Sequence, residues 1–187
     1  MKRIFITACA ICFNILLLAA QAKKGQQPVS AIDKKVDALI AKMTLEEKVG
    51  QMTEVTSDVV SSTKDGAHQI DAAKIKEAIL KYHVGSILNV SGQAYTREHW
   101  YDVVSAIQAE AAKDRLKIPV IYGIDAIHGV TYTAGSTLFP HEIAMAATFN
   151  REIAHKAGEI TAYETRASYI PWNYSPVLDL GKTPLWP

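Results

Sequence analysis

Residues 118–129 read Ile-Pro-Val-Ile-Tyr-Gly-Ile-Asp-Ala-Ile-His-Gly, a short apolar run that ends in an acid, a histidine and a glycine. The run over 118–124 has the length and the β-branched content of a buried strand. A carboxylate at Asp125 and an imidazole at His128 follow directly. This stretch therefore predicts a core strand that delivers polar side chains to its carboxyl end.

The sequence around this stretch alternates strands with helices. Apolar spacing predicts helices over 32–43 and 71–83, and three further helices begin after the capping residues Thr44, Thr96 and Asn150. Residues 84–89 and the extended segment 171–179 predict two more strands, whereas 56–69 is polar and is predicted to be a loop. Strands separated by helices of this length pair in parallel, so the fold class is α/β.

Ligands of parallel α/β folds bind at the carboxyl ends of the strands. Three polar residues fall at or near such ends: Asn89, Asp125 and Asp179. A complete (β/α)8 barrel needs about 250 residues, and this chain offers three clear strands and at most a fourth. A small open α/β domain is the alternative, but nothing in the sequence covers the edge of the last strand, which favours a truncated barrel.

The first 22 residues have the pattern of a secretory signal peptide. Lys2 and Arg3 precede an apolar stretch, and Ala20-Gln21-Ala22 supplies a small-residue cleavage pattern. A membrane anchor is the alternative, but the stretch is short and Asn14 interrupts it. We expect export to the periplasm or the medium, a flexible lead-in over 23–31, the folded part over 32–187, and no membrane span in the mature chain.

The bulk composition excludes several classes of partner. Both cysteines, Cys9 and Cys12, lie in the leader, so the mature chain is predicted to have no disulfide. Without Lys2 and Arg3, 18 basic residues face 19 acidic ones, a formal charge of −1. This balance gives no general attraction to nucleic acid or to anionic lipid.

Asp125 is the leading candidate for a functional side chain. An ionised carboxylate at the mouth of a sheet can accept hydrogen bonds from vicinal sugar hydroxyls. The alternatives are an acid paired with Lys or Arg and an acid that caps the next turn. His128 could orient Asp125 or line the pocket, or it could be a packed histidine bonded to the backbone.

Other types of site have weaker support. The six histidines form no H-E-x-x-H or other tight ligand spacing, and no phosphate-binding loop or G-x-S-x-G nucleophile motif is present. We therefore predict no metal and no cofactor. Trp172, Tyr174 and Trp186 could stack on a sugar ring, although core packing is the alternative for each.

Taken together, the motifs resemble the N-terminal domain of the family 3 glycoside hydrolases, the β-glucosidase group. The resemblance covers nearly all of the mature chain and follows the family's order: 42–52 (KMTLEEKVGQM), 84–89 (VGSILN), 118–129, 137–140 (TLFP), 164–167 (ETRA) and 175–180 (SPVLDL). Xylosidase-like members resemble E-A-x-H-G where this chain has Asp125-Ala126-Ile127-His128-Gly129, and the N-acetylglucosaminidase branch resembles D-x-E-G-G. The present sequence is similar to the glucosidase form.

The resemblance implies an incomplete TIM-like (β/α)8 barrel, of which this chain is the N-terminal portion. It also implies retaining hydrolysis of terminal β-D-glucosyl residues by two carboxylates. Asp125 matches the acid that grips hydroxyls of the non-reducing sugar, so it is a binding residue, and His128 and Trp186 are further candidates for the pocket. The family's nucleophile, its Lys-His pair and its acid/base lie beyond residue 187, so no catalytic residue is expected within this chain.

The sequence departs from the family near its end. Members often read R-D-P-R-W-G-R where this chain reads Gly-Lys-Thr-Pro-Leu-Trp-Pro over 181–187. The usual acid and the first arginine are replaced, so the resemblance does not imply the family's sugar contacts for this loop. The expected function is an exported β-glucosidase-type hydrolase whose fragment is inactive alone, and the alternatives are a non-catalytic carbohydrate-binding remnant and a non-functional gene fragment.

Overall fold

The structure, a computed structural model, describes residues 30–64, 67–90 and 92–177, apart from the side chains of residues 64, 67 and 68. The predicted signal peptide, positions 23–29 of the predicted lead-in, Asp179 and Trp186 lie outside these residues. The chain divides into two compact units, residues 1–43 and 44–187. Within the described residues, no helix has the length and apolar content needed to cross a membrane.

The described part of the first unit contains helix α1, Ala31–Ile40. Ser30 caps it, because its hydroxyl accepts from the Asp33 N–H at 3.1 Å and the Asp33 carboxylate accepts from the Ser30 N–H at 2.9 Å. The predicted helix over 32–43 is thus present, and it begins at Ala31.

The second unit begins with helix α2, Leu45–Gln51. Thr44 and Glu47 form the predicted capping box: the Thr44 N–H donates to the Glu47 carboxylate at 2.8 Å, and the Glu47 N–H donates to the Thr44 hydroxyl at 3.2 Å. The other helical elements of this unit are α3 (Ala72–Lys76) with a π-helical turn (Glu77–Lys81), α4 (Arg97–Ala111), α5 (Glu142–Ala146) and α6 (Arg151–Ala167).

The predicted caps of the two long helices are confirmed. The Thr96 hydroxyl accepts from the His99 N–H at 3.2 Å at the start of α4. The Asn150 side chain accepts from the Glu152 N–H at 3.0 Å at the start of α6. Each cap satisfies one of the backbone donors that the first helical turn leaves unpaired, so both helix starts were readable from the sequence.

Six strands occur in the described residues: β1 (Glu54–Thr56), β2 (Ser61–Lys64), β3 (Ala67–Ile70), β4 (Ser86–Leu88), β5 (Ile121–Ile124) and β6 (Trp172–Asn173). Four of them form a parallel sheet in the order β1-β4-β5-β6, in which Val55 pairs with Ile87 and Ile87 with Tyr122. The parallel α/β prediction is confirmed. Strand β1 was not predicted, because three residues are too few to show a pattern.

The prediction of a loop over 56–69 is wrong. The chain forms a 3-10 turn, Ser57–Val60, and then the antiparallel pair of β2 and β3. Val60, fully buried, anchors this segment in the core, and the Lys74 ammonium donates to the Ser61 carbonyl at 2.6 Å. Most of the described side chains of this segment stay in contact with solvent, so its polar sequence resembles that of a loop.

The core lies on one face of the parallel sheet. Ile87, Tyr122 and Ile124 alternate along β4 and β5, are fully buried, and pack with the helix residue Trp100, whose ring is 5.4 Å from that of Tyr122. Residues at the other parity occupy the opposite face, which includes Ile121, 48% exposed. One face of the sheet is therefore packed under helices and the other is open.

Candidate functional site

Asp125 lies directly after β5, at the carboxyl edge of the sheet. Its carboxylate oxygen Oδ2 accepts a hydrogen bond from Asn89 Nδ2 at 2.8 Å, and its backbone N–H donates to Asn89 Oδ1 at 2.9 Å. Among the described residues, Asp125 forms neither a salt bridge with Lys or Arg nor a helix cap. The carboxylate is thus held at Oδ2 by a neutral amide, and its second oxygen, Oδ1, accepts no hydrogen bond among the described residues.

Asn89 reaches Asp125 because of its backbone conformation. It follows β4 with a φ of +53°, a left-handed conformation that Asn adopts more readily than most residues. Its N–H donates to the Gly123 carbonyl at 2.9 Å, and its carbonyl accepts from the Tyr122 hydroxyl at 2.6 Å. Two hydrogen bonds to β5 thus fix the backbone of Asn89, and its side-chain amide reaches Asp125, two residues after Gly123.

A second asparagine, Asn173, stabilises the adjacent loops. Its Oδ1 accepts from the backbone N–H groups of Ala126 and Ser175, both at 3.1 Å. The residue after Asp125 is thereby joined to the end of β6. Sequence reasoning missed Asn173, because nothing in the pattern distinguishes it from an ordinary strand residue.

Gly123 permits a close approach by Tyr174. A Cβ atom at position 123 would lie 2.9 Å from Cε2 of the Tyr174 ring and closer still to its hydroxyl. That hydroxyl donates to the carboxylate of Glu54 on β1. The Tyr174 ring therefore crosses the open face of the sheet from β6 to β1.

The charge of Asp125 affects two neighbouring phenols. Burial, the hydrogen bond to Glu54, and the charges of Glu54 and Asp125 raise the pKa of Tyr174 above its usual value. Burial, followed by the charge of Asp125, raises the pKa of Tyr132. Both phenols stay protonated at neutral pH and keep their capacity to donate.

His128 does not orient Asp125 in this structure. Its ring lies 4.7 Å from that of His141, tilted by 49°, and its Nδ1 is buried without a partner among the described residues. It lines a groove of about 580 Å³ together with Asn173 and Ser175. Asn89, and not His128, orients the Asp125 carboxylate. His128 forms part of the wall of this groove.

The aromatic candidates lie near the same edge of the sheet. Trp172 is 40% exposed, and its ring is 4.7 Å from that of Tyr174. Trp186 lies outside the described residues.

On helix α6, Glu159 makes exposed ion pairs with His155 at 3.3 Å and Lys156 at 2.9 Å, so its charge is paired at the surface of the helix.

One group of side chains in the described residues has the spacing of metal ligands: Glu47, His83 and Asp114. These residues precede strands, so they lie at the amino edge of the sheet, away from Asp125. The Arg115 guanidinium binds both carboxylate oxygens of Glu47, and the Thr44 N–H donates to one of them. Because Arg115 already compensates the Glu47 charge, this cluster fits an internal ion pair better than a metal centre.

The sequence and the fold have clear relatives. Residues 44–187 match the family described as "Glycosyl hydrolase family 3 N terminal domain". The chain is 40% identical over 167 residues to the lysosomal beta glucosidase of Dictyostelium discoideum, an alignment that covers 84% of this chain and 20% of that protein. It is 29% identical over 164 residues to a periplasmic beta-glucosidase of Salmonella typhimurium, covering 87% and 19%.

A solved structure also superposes on the chain. The beta-glucosidase of Listeria innocua in complex with glucose has a TM-score of 0.58 at 28% identity, over 79% of this chain and 19% of that one. The chain spans about a fifth of the length of these relatives. Its four parallel strands and their crossover helices correspond to the N-terminal portion of a TIM-like barrel, as predicted, and on the match over residues 44–187 the chain belongs to glycosyl hydrolase family 3.

Proposed function

We propose that this chain forms the part of a β-glucosidase-type hydrolase that holds the terminal, non-reducing sugar, with Asp125 as the residue that binds its hydroxyls. The observation that carries this proposal is the geometry of Asp125. One carboxylate oxygen is fixed by Asn89 at 2.8 Å, and the other accepts no hydrogen bond among the described residues. A fixed anionic acceptor at the carboxyl edge of a parallel sheet suits vicinal sugar hydroxyls.

The proposed reaction is retaining hydrolysis of terminal β-D-glucosyl residues. Such hydrolysis uses two carboxyl groups about 5 Å apart, one as nucleophile and one as acid/base. The resemblance implies that both come from sequence beyond residue 187, and it supplies no catalytic role within this chain. Asp125 contributes to the rate if its bonds to the sugar strengthen as the ring flattens toward the transition state.

The proposal includes export. The pattern of residues 1–22 supports a signal peptide, and one relative is named a periplasmic and another a lysosomal enzyme. The partner is a β-glucoside or a gluco-oligosaccharide. When the chain is expressed in Escherichia coli with its own N-terminus, we expect cleavage to remove about 22 residues. Mass spectrometry of the mature N-terminus measures the cleavage position.

Glucose binding by the purified chain tests the role of Asp125. We expect weak, saturable binding in an NMR titration, and at least about a tenfold loss of affinity in Asp125→Asn, which keeps the shape and removes the charge. Asp102→Asn is the matched control, since Asp102 is an exposed acid on helix α4. Equal binding by wild type and Asp125→Asn would contradict the proposal.

Hydrolysis separates an enzyme fragment from a complete enzyme. The purified 187-residue chain should not release the leaving group from an aryl β-glucoside, because the two reacting carboxyls are expected outside it. Turnover that copurifies with the chain and disappears in Asp125→Asn would contradict this expectation. Binding without turnover also fits the non-catalytic remnant, whereas a chain without a cooperative thermal transition would favour the non-functional fragment.

A further inference from the structure

We infer that Asn89 is a positioning residue, whose neutral amide holds the Asp125 carboxylate in one orientation and leaves its second oxygen to the ligand. The value of this inference for sugar binding rests on the proposed function. The inference itself concerns only the pairing of two side chains at the ends of β4 and β5. It can therefore be tested with and without sugar.

Asn89 contacts Asp125 at two points. Asn89 uses its donor on Oδ2 of Asp125 at 2.8 Å and its acceptor on the Asp125 N–H at 2.9 Å. A single planar amide thus fixes both the backbone and the side chain of the same residue. Rotation of the Asp125 carboxylate would break one of these bonds, so Oδ1 is held in one direction.

The donor that Asn89 presents to Asp125 is an uncharged amide N–H. An amide N–H is a hydrogen-bond donor that stabilises the ionised carboxylate without competing for the hydroxyls of a ligand as a mobile lysine would. Within the described residues no lysine or arginine pairs with Asp125. Because a salt bridge is absent there, the full charge stays available to the ligand.

Asn89 is held in a left-handed backbone conformation, which carries a free-energy cost. Its φ of +53° is disfavoured for most side chains, and two hydrogen bonds of its backbone maintain it, one to the Gly123 carbonyl and one from the Tyr122 hydroxyl. The Tyr122 ring itself is fully buried in the core. A residue of the packed face, Tyr122, therefore fixes the backbone of Asn89. The side chain of Asn89 in turn orients Asp125 at the carboxyl edge.

Asn89→Asp is the informative substitution, because it preserves shape and the acceptor for the Asp125 N–H while replacing the donor by a second carboxylate. Two carboxylates at hydrogen-bonding distance repel each other when both are ionised, so the pair should take up one proton at a higher pH than a single carboxylate does. The variant should bind glucose at least about tenfold more weakly than wild type at pH 7.5. The deficit should shrink as the pH falls to 5.5, where the shared proton restores a donor.

The other titratable groups around Asn89 and Asp125 should not produce the same pH-dependent difference in glucose binding between the variant and wild type. The phenols of Tyr132 and Tyr174 sense the charge of Asp125, and Glu54 bonds to Tyr174. Tyrosines do not change charge between pH 5.5 and 7.5. Glu54 and His128, which are the same in both proteins, cancel in the comparison of the variant with wild type.

The experiment follows the side-chain carboxyl signals of ¹³C-labelled full chain by NMR from pH 7.5 to 4, with and without glucose. Asn150→Asp is the matched control: it makes the same chemical change at the exposed cap of helix α6, where Asp caps as well as Asn. We expect a protonation step at higher pH, and a binding deficit that follows it, in Asn89→Asp only. Thermal melts of all three proteins at each pH verify that they are folded.

Coincident titration of the carboxyl signals in Asn89→Asp and wild type would overturn the inference, whether or not glucose binds. A shifted titration with pH-independent binding loss would overturn the claim that the charge of Asp125 is what Asn89 controls for the ligand. A shifted titration in a chain whose wild type binds no glucose would support the pairing and would overturn the proposed function instead.

Discussion

At position 123, a single hydrogen atom separates β5 from the ring of Tyr174. Strand interiors rarely favour glycine, because its backbone loses more freedom on folding and it contributes no side chain to the packing. Here the absence of a side chain lets the ring cross the sheet and bond to Glu54. Glycine is therefore required at position 123 because the Tyr174 ring occupies the space of a side chain, and not because of the backbone angles of position 123.

We predict that Gly123→Ala destabilises the protein by about 1–3 kcal/mol, the usual cost of overpacking. The new methyl group would displace the Tyr174 ring, whose Cε2 would lie 2.9 Å from it, and would break the bond to Glu54. This cost exceeds the gain of about 0.5–1 kcal/mol that alanine normally brings over glycine. Urea denaturation at neutral pH measures the change.

A double-mutant cycle identifies the cause of that loss. In a Tyr174→Ala background the obstructing ring is absent, so Gly123→Ala should no longer destabilise the protein, and the free energy of unfolding should stay the same or rise by up to about 1 kcal/mol. A similar destabilisation in both backgrounds would assign the cost to the backbone of β5 and not to the contact with Tyr174.

The sequence predicted the candidate site only in part. Asp125 was predicted as a candidate because it is an acid directly after an apolar run, and ligands of parallel α/β folds bind at the carboxyl ends of strands. The grip of Asn89 was not predictable, since it depends on one positive φ angle and on the register of β4 against β5. The contact between Glu54 and Tyr174 joins residues 120 positions apart and leaves no trace in local spacing.

At the scale of elements, an ion pair connects helix α2 to the segment before β5. The Glu47 carboxylate, 4% exposed, accepts from the Arg115 guanidinium and from the Thr44 N–H. These contacts, with the Arg115 bond first, lower the pKa of Glu47 from 4.5 to about 2. His83 contacts Asp114 at 3.2 Å in the same cluster.

This pairing predicts a particular acid dependence. The folded state lowers the pKa of Glu47, so its contribution to stability is complete above about pH 4.5 and is lost as the pH falls toward 2. Glu47→Gln should therefore be less stable than wild type at pH 7, and the difference should shrink between pH 4.5 and 2. Denaturant unfolding at a series of pH values measures it.

Glu152→Gln provides the comparison, since Glu152 is an exposed acid in the first turn of helix α6. Its stability should follow that of wild type across the same pH range. If the free energies of unfolding of Glu47→Gln and wild type changed in parallel with pH, the ion pair would make no net contribution to stability beyond the hydration of the separated charges.

The elements themselves were predictable where local chemistry decides them. Thr44, Thr96 and Asn150 each cap the helix that was predicted to follow them, because a cap is a contact within one turn. The hairpin of β2 and β3 was not predictable, because its strands are held by each other and by Val60 beneath them. Tertiary packing, not local propensity, decides such segments.

At the scale of the whole second unit, the parallel sheet is packed on one side only. Its open face carries Ile121, 48% exposed, and Trp172, 40% exposed, and its outer strands among those described are β1 and β6. Apolar side chains beside unpaired strand edges promote association between chains. The two-sided burial usual for parallel sheets is thus incomplete in the described residues.

We predict that the purified chain self-associates at micromolar concentration and that Ile121→Lys weakens this association by at least about tenfold, because burying the ammonium is costly. Sedimentation velocity over a concentration series gives the measurement. Tyr163→Lys is the control, since Tyr163 is 76% exposed on helix α6, away from the sheet. Equal effects of the two substitutions would show that net charge, not the open face, governs association.

The separation of the two sheet edges has a consequence for how such a protein can change over generations. The ion pair of Glu47 and Arg115 lies at the amino edge, and the grip of Asn89 on Asp125 lies at the carboxyl edge. Substitutions far apart with no shared partners add nearly independently. Loops at the carboxyl edge can therefore vary toward new ligands, while the contacts at the amino edge preserve the stability that such substitutions reduce.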